Sequence, residues 1–182
     1  MVEAREHLSE FIITEALKRG NFTLANGQPS GVYVDLRKLS LDHRVAPLIG
    51  DVMLEIIAEF EPVDAVGGLT MGADPIATSI MHRGILVGKY YDAVVVRKEP
   101  KSHGLERLIE GPNVSGKRIV IVEDTSTTGA SPLAAARAIE EAGGEVVAVC
   151  VVVDRHTGAA DKVEMSGFPY RAALNLRDLK AQ

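Results

Sequence analysis

Glu123 and Asp124 are followed at once by Thr125-Ser126-Thr127-Thr128-Gly129-Ala130-Ser131, a run in which all but two residues carry a hydroxyl. Adjacent carboxylates repel a phosphate but accept hydrogen bonds from a sugar diol. Hydroxyls, and backbone N–H groups exposed where a turn enters a helix, donate to a phosphate. A ligand with a phosphate at one end and a ribose diol beside it satisfies both halves. An ordinary polar turn between strand and helix would account for a lone acidic pair, but not for the whole string. The two commonest phosphate motifs, G-x-x-x-x-G-K-[ST] and G-x-G-x-x-G, are absent.

The elements that must position this string are legible on either side of it. Ile119–Val122 is an apolar, mostly β-branched run that reads as a strand buried on both faces, with Glu123 and Asp124 following where it should end. Pro132 predicts a helix start, with Ser131 as N-cap and Pro132 at the first helical position. The site would then lie at the positive end of a helix dipole.

From Asp64 onward strands and helices alternate. Strands are expected at Ala65-Val66, Ala93–Arg97, Ile119–Val122, Glu145–Asp154 and Tyr170–Leu174, with helices from Pro75 and after the central motif, the latter closed by Gly143-Gly144. This pattern predicts an α/β fold with a mostly parallel sheet flanked by helices. Ligands of such sheets bind at the carboxyl ends of the strands, which singles out the loops after Val66, Val96, Val122 and Val153. Upstream, residues 7–19 are expected to form a helix with Leu8, Phe11, Ile12 and Ala16 on one face, closed by Gly20-Asn21. Two short strands around Asn26–Gly31 complete a small N-terminal cap over residues 1–40, and a helix is expected over 43–60 with Asp42 as N-cap and Pro47 in its first turn. The 182 residues are read as one domain.

Three of the loops carry further chemistry. Gly67-Gly68-Leu69-Thr70-Met71-Gly72-Ala73 is glycine-rich and precedes a helix, so its backbone could approach a second phosphate group. Arg97, Lys98, Lys101 and His103 cluster at the start of a long stretch, 98–117, with no clear element of its own. Loops of that length are uncommon unless functional or disordered, and flanking Gly104 and Gly111 would let this one move as a lid. Arg155 follows the strand ending at Asp154, where a carboxylate-bearing ligand could be gripped bidentately.

Composition bounds the rest. The chain is 46% hydrophobic and 25% charged, with a net charge of −5 that argues against bulk nucleic-acid binding. An anionic substrate must therefore be held by local cations. The longest apolar run, Val146–Val153, has eight residues, far short of the ~20 a membrane helix needs. The first residues lack the apolar core of a signal peptide. The single Cys150 lies within that apolar run, which predicts a buried thiol, excludes a disulfide framework and fits a reducing cytoplasm. Spacings of cysteine and histidine offer no structural metal site.

The string Ile119–Ser131 resembles the 5-phosphoribosyl-1-pyrophosphate (PRPP) motif of type I phosphoribosyltransferases, and Thr70, Met71, Gly72 and Ala73 resemble their pyrophosphate loop. Arg97-Lys98-Glu99-Pro100-Lys101-Ser102-His103-Gly104 narrows the resemblance to the orotate phosphoribosyltransferase family, which shows R-K-E-x-K-x-H-G there. Phe22–Gly27, Ser30, Tyr33, Asp35 and Arg37 are similar to that family's segment near the base pocket. One departure stands out, Ala25 where many members have Lys; Glu123-Asp124 in place of two aspartates is a mild variation.

The resemblance implies Mg2+-dependent transfer of 5-phosphoribosyl from PRPP to orotate by a cytoplasmic homodimer whose lid reaches the neighbour's site. It implies PRPP contacts from Arg97, Lys98, Lys101, His103 and Glu123 through Ser131, and orotate contacts from Thr127 and Arg155. Lys101, His103 and Asp124 would be the catalytic groups, with Lys98 acting across the dimer and magnesium arriving with the substrate. A phosphoribosyltransferase for purines or uracil would share the PRPP motif but have no use for an Arg aimed at a base carboxylate. A non-catalytic PRPP-binding regulator would not need the cationic lid.

Overall fold

The parity of the central apolar run dictates the layers. Along a strand successive side chains point to opposite faces. Val120 and Val122 therefore join one hydrophobic cluster, while Ile119 and Ile121 join the other, and all four are fully buried. Burying each such side chain contributes on the order of 1.5–3 kcal/mol, so the strand is held in the middle of the molecule. The computed structural model describes residues 2–23, 27–99 and 108–180. Ala25 and residues 100–107 of the expected lid, Lys101 and His103 among them, lie outside the described residues.

The N-terminal segment comprises α1 (Val2–Phe11), a π-helical turn (Ile12–Ala16), and the antiparallel strands β1 (Leu17–Thr23) and β2 (Pro29–Val34). Next come α2 (Arg37–Ser40), α3 (Ala46–Ile57), a 3-10 turn (Ala58–Phe60), β3 (Ala65–Leu69), α4 (Ala73–Leu86), β4 (Asp92–Val96) and β5 (Ile109–Glu110). The last part runs β6 (Arg118–Ser126), α5 (Ala130–Glu141), β7 (Glu145–Asp154), α6 (Ala159–Met165), β8 (Tyr170–Asn175) and α7 (Leu176–Lys180). Among the described residues the main sheet has the order β5-β4-β3-β6-β7-β8, parallel except for the β4–β5 pair. Helices α1, α3, α4 and α7 contribute to the core on one face, and α5 and α6 to the core on the other. The expected α/β fold with a mostly parallel, helix-flanked sheet is what the chain adopts.

Several boundaries differ from the sequence expectation, each for a physical reason. The helix expected over 7–19 ends early, because Leu17, Lys18 and Arg19 pair with Val34, Tyr33 and Val32 across the hairpin. That pairing places Gly20 inside β1 rather than at a helix end. The expected inward face survives in part, with Leu8, Ile12 and Ala16 fully buried. The helix expected over 43–60 begins at Ala46, since the Asp42 carboxylate accepts the Arg44 N–H (2.8 Å) in a turn and Val45 takes the cap position. It tightens after Ile57, shortly before Glu61-Pro62, where the residue preceding proline disfavours helix. The stretch expected to lack structure up to Lys117 returns to the sheet as β5. Helix α5 starts two residues ahead of expectation: Gly129, not Ser131, is the cap, and Pro132 lies within the first turn.

Candidate functional site

Strands β3 and β6 are neighbours, but the chain leaves them in opposite directions: β4 lies outside β3, and β7 lies outside β6. Such a switch point opens a crevice at the carboxyl ends of the two strands. A cavity of about 350 Å³ sits there. β3 pairs with β6 only as far as Gly67 opposite Ile121, whereas β6 continues beside β7 to Ser126 opposite Asp154. Past Val122, β6 therefore has a sheet partner on one side and the crevice on the other. This corrects the sequence reading: the acid pair does not follow the strand but lies within it.

Glu123 and Asp124 both line the cavity, in unlike surroundings. Glu123 is only 6% exposed, and burial, reinforced by the negative charge of Asp124, holds its pKa well above the usual carboxylate range. Its Oε1 accepts the Asp124 N–H (3.2 Å). Asp124 is half-buried, and its Oδ1 accepts the Thr125 N–H (2.6 Å). Opposite them the β3–α4 turn comes so close that a Cβ on Gly72 would lie 2.4 Å from Glu123 Oε1 and 2.9 Å from Asp124 Oδ1. Gly67 and Gly68 serve another purpose than the one expected. They sit in β3, where a Cβ would fall 2.1 Å from the Val94 carbonyl oxygen and 2.2 Å from that of Val122, so they allow sheet packing rather than ligand approach.

Thr70, Met71 and Gly72 line the cavity, while Ala73 is buried in the core at the start of α4. Thr70 Oγ1 donates to Asp74 Oδ2 (2.7 Å) and its N–H to the Val96 carbonyl (2.8 Å), which anchors the turn at both ends. Across the crevice, Thr125, Ser126, Thr127, Thr128, Gly129, Ala130 and Ser131 all line the wall. Gly129 has φ 71°, a left-handed conformation that turns the chain into α5. Thr128 Oγ1 accepts the Ala130 N–H (3.3 Å). Thr157 Oγ1 donates to the Thr127 carbonyl, stitching this turn to the next.

That next turn brings in Arg155. The residue is 8% exposed, lines the cavity, and has no hydrogen-bond partner on Nε. Its Nη2 approaches the Val34 carbonyl (3.5 Å), and its guanidinium lies over the Tyr33 ring at 5.3 Å. Burial pushes its pKa down against the opposing influence of Tyr33 and Asp124, yet an arginine keeps its charge at neutral pH. Lys98 also lines the cavity and is exposed. Arg97, expected beside it, is not among the lining residues. Its Nη1 faces Glu110 Oε1 (3.6 Å) and its Nε the Glu99 carbonyl (3.3 Å), because β5 brings Glu110 back beside β4. Thr23, Tyr33, Val34, Leu36 and Arg37 also line the cavity. Thr23, Tyr33 and Arg37 belong to the segment that resembles the family's base-pocket region, whereas only the expected cap pointed to Val34 and Leu36.

A family model for the phosphoribosyl transferase domain matches residues 40–168. An orotate phosphoribosyltransferase of Tropheryma whipplei is 56% identical over 175 residues, spanning 96% of this chain and 82% of the relative. The chain belongs to the orotate phosphoribosyltransferase family. Crystal structures of the Mycobacterium tuberculosis orotate phosphoribosyltransferase are similar throughout. One is 49% identical with a TM-score of 0.85, covering 97% of this chain and 98% of that one. Another, in complex with PRPP, is 45% identical with a TM-score of 0.80, covering 97% and 92%. The family assignment agrees with the cavity, in which an acid pair, a hydroxyl-rich turn and a buried arginine converge.

Proposed function

We propose that this chain is a working orotate phosphoribosyltransferase. It would transfer 5-phosphoribosyl from PRPP to N1 of orotate and release orotidine 5′-monophosphate and pyrophosphate, a step in making pyrimidine nucleotides. The observation that carries the reading is Arg155, a buried guanidinium with an unpartnered Nε in the same cavity as the acid pair and the hydroxyl turn. A buried charge without a protein partner is costly, and a carboxylate on the base supplies that partner. A purine or uracil offers none, so nothing in the cavity favours those acceptors.

In this mechanism Thr125–Ser131 hold the 5′-phosphate through backbone N–H groups, hydroxyls and the start of α5. Asp124 and Glu123 accept hydrogen bonds from the ribose diol. The charge on Asp124 also supports the positive ring that develops as the anomeric bond loosens. The Thr70–Gly72 turn and Lys98 receive the departing diphosphate, and Arg155 orients orotate through its carboxylate. No covalent nucleophile is required.

Among the described residues no cluster of three or more His, Cys, Asp or Glu could form a resident metal cage. The carboxylate oxygens of Asp124 and Glu123 nevertheless suit a Mg2+ ion held largely by substrate phosphates and water. When bound, Mg2+ would neutralise charge accumulating on the leaving diphosphate. Lys101 and His103 would add cations from the lid of a second subunit. The acting form would be a homodimer. Beside the cavity a groove of about 720 Å³, with Leu41 and Met71 exposed by 73% and 62%, offers apolar surface for a neighbouring copy. The free, buried thiol of Cys150 fits the reducing cytoplasm where this chemistry belongs.

The test is an absorbance assay with PRPP, Mg2+ and a panel of orotate, uracil, adenine and hypoxanthine. Turnover of orotate alone is the expected result. Turnover of uracil at a comparable rate, or of no base at all, would overturn the reading.

A further inference from the structure

We infer that Tyr33 is a positioning residue for Arg155: the cap lends its aromatic face to hold the guanidinium that reads the base. The inference rests on the reading above, in which Arg155 meets the carboxylate of orotate. Arg155 belongs to the main sheet, at the end of β7, and Tyr33 to the cap, in β2. The guanidinium carbon lies 5.3 Å from the Tyr33 ring centroid, within cation–π range. Tyr33 is itself backed by Phe22 of the facing strand, at 5.6 Å between ring centroids and 36° between planes.

The remaining surroundings of Arg155 explain why such a platform is needed. Its Nη2 has the long approach to the Val34 carbonyl, its Nε has no partner, and no ion pair to it is found among the described residues. An arginine buried this far without a carboxylate would be expected to swing toward solvent or toward Asp124. Contact with the ring face restrains the guanidinium, while its unpartnered Nε stays available to a carboxylate in the cavity. Phe22, Tyr33 and Arg155 thus form a relay by which the N-terminal hairpin sets base recognition without contributing a charge of its own.

Two measurements test this on the full-length chain. The first is the nitrogen and proton NMR signal of the Arg155 side chain, which a ring beneath it shifts whether or not substrate is present. The shift should vanish in Tyr33→Leu and persist in Tyr33→Phe. Its persistence in Tyr33→Leu would overturn the contact. The second is kinetic. Losing a cation–π contact should raise KM for orotate by roughly 3- to 30-fold in Tyr33→Leu, with KM for PRPP within about 2-fold as the check on folding. Tyr33→Phe should restore most of it. In an Arg155→Ala background Tyr33→Leu should add less than about 2-fold. An equal penalty in both backgrounds would mean that Tyr33 acts on the base directly, and the proposal would fall. If the wild-type chain does not use orotate, the functional reading fails by itself, and the NMR signal still decides whether Tyr33 holds Arg155.

Discussion

The turns after β6 and β7 are built on one plan but carry different side chains. Each follows a long central strand, the strands pair as far as Ser126 opposite Asp154, and each turn ends in a left-handed glycine, Gly129 or Gly158, that caps a helix. The first turn offers hydroxyls and amides ahead of α5, a helix of 12 residues, and carries no cation of its own. The second leads into α6, with only seven residues, and contributes a buried arginine. Where many weak donors converge, recognition is distributed over the backbone. Where one charge is imported, it is concentrated in a single side chain. The two turns therefore should respond differently to single substitutions.

The largest difference should come from Arg155→Ala. Removing a charged partner of the base carboxylate is expected to raise KM for orotate by roughly 10- to 100-fold. KM for PRPP should change by less than about 3-fold in the same steady-state measurements. Equal losses for both substrates would erase the contrast between the turns.

Next come the capping glycines, read by denaturant unfolding. A Cβ on Gly129 would lie 3.1 Å from Val163 Cγ2 and 3.2 Å from the Ala159 carbonyl oxygen, whereas one on Gly158 would meet nothing within 4 Å. Both positions carry the left-handed penalty of roughly 1–2 kcal/mol. Gly129→Ala should exceed Gly158→Ala because it adds the steric clash. The reverse order would mean that the two turns are not packed against each other as described.

Thr128→Ala should be milder still, since the remaining donors of the first turn stay in place. A net hydrogen bond is worth about 1 kcal/mol, so KM for PRPP should rise about 5-fold with orotate unaffected. The smallest effect is one of pH. Because the folded state raises the pKa of Glu123, its contribution to stability is present below the unfolded value of about 4.3 and is lost as pH rises through the folded value. Glu123→Gln should therefore melt higher than the wild type near neutral pH, with the gap closing as the pH is lowered toward 4. A gap independent of pH would show that Glu123 does not titrate as its burial requires.

The sequence made some of this plain and hid the rest. Runs such as Ile119–Val122 and Val146–Val153 are apolar on both faces, a local signal that survives folding intact. The acid pair and its hydroxyl string could be singled out from their order alone, and both line the cavity. What stayed hidden depends on distant partners. Leu17–Arg19 carry no strand signature until Val32–Val34 lie beside them. Arg97 lies beside Glu110 because β5 pairs with β4, a neighbour that its own stretch of sequence does not announce. The extension of β6 through Glu123 and Asp124 depends on β7 continuing alongside it. Likewise Gly67 and Gly68 resemble a ligand loop in sequence, and only the carbonyls of Val94 and Val122 reveal that they make room for neighbouring strands.

The central claim is that both turns serve one ligand, phosphate at the first and carboxylate at the second. A crystal structure with orotidine 5′-monophosphate tests it most directly, because that molecule carries both groups. The account predicts the phosphate against the amides and hydroxyls of residues 125–131 and the base carboxylate within hydrogen-bond distance of Arg155. A phosphate bound elsewhere, or a carboxylate turned away from Arg155, would contradict it.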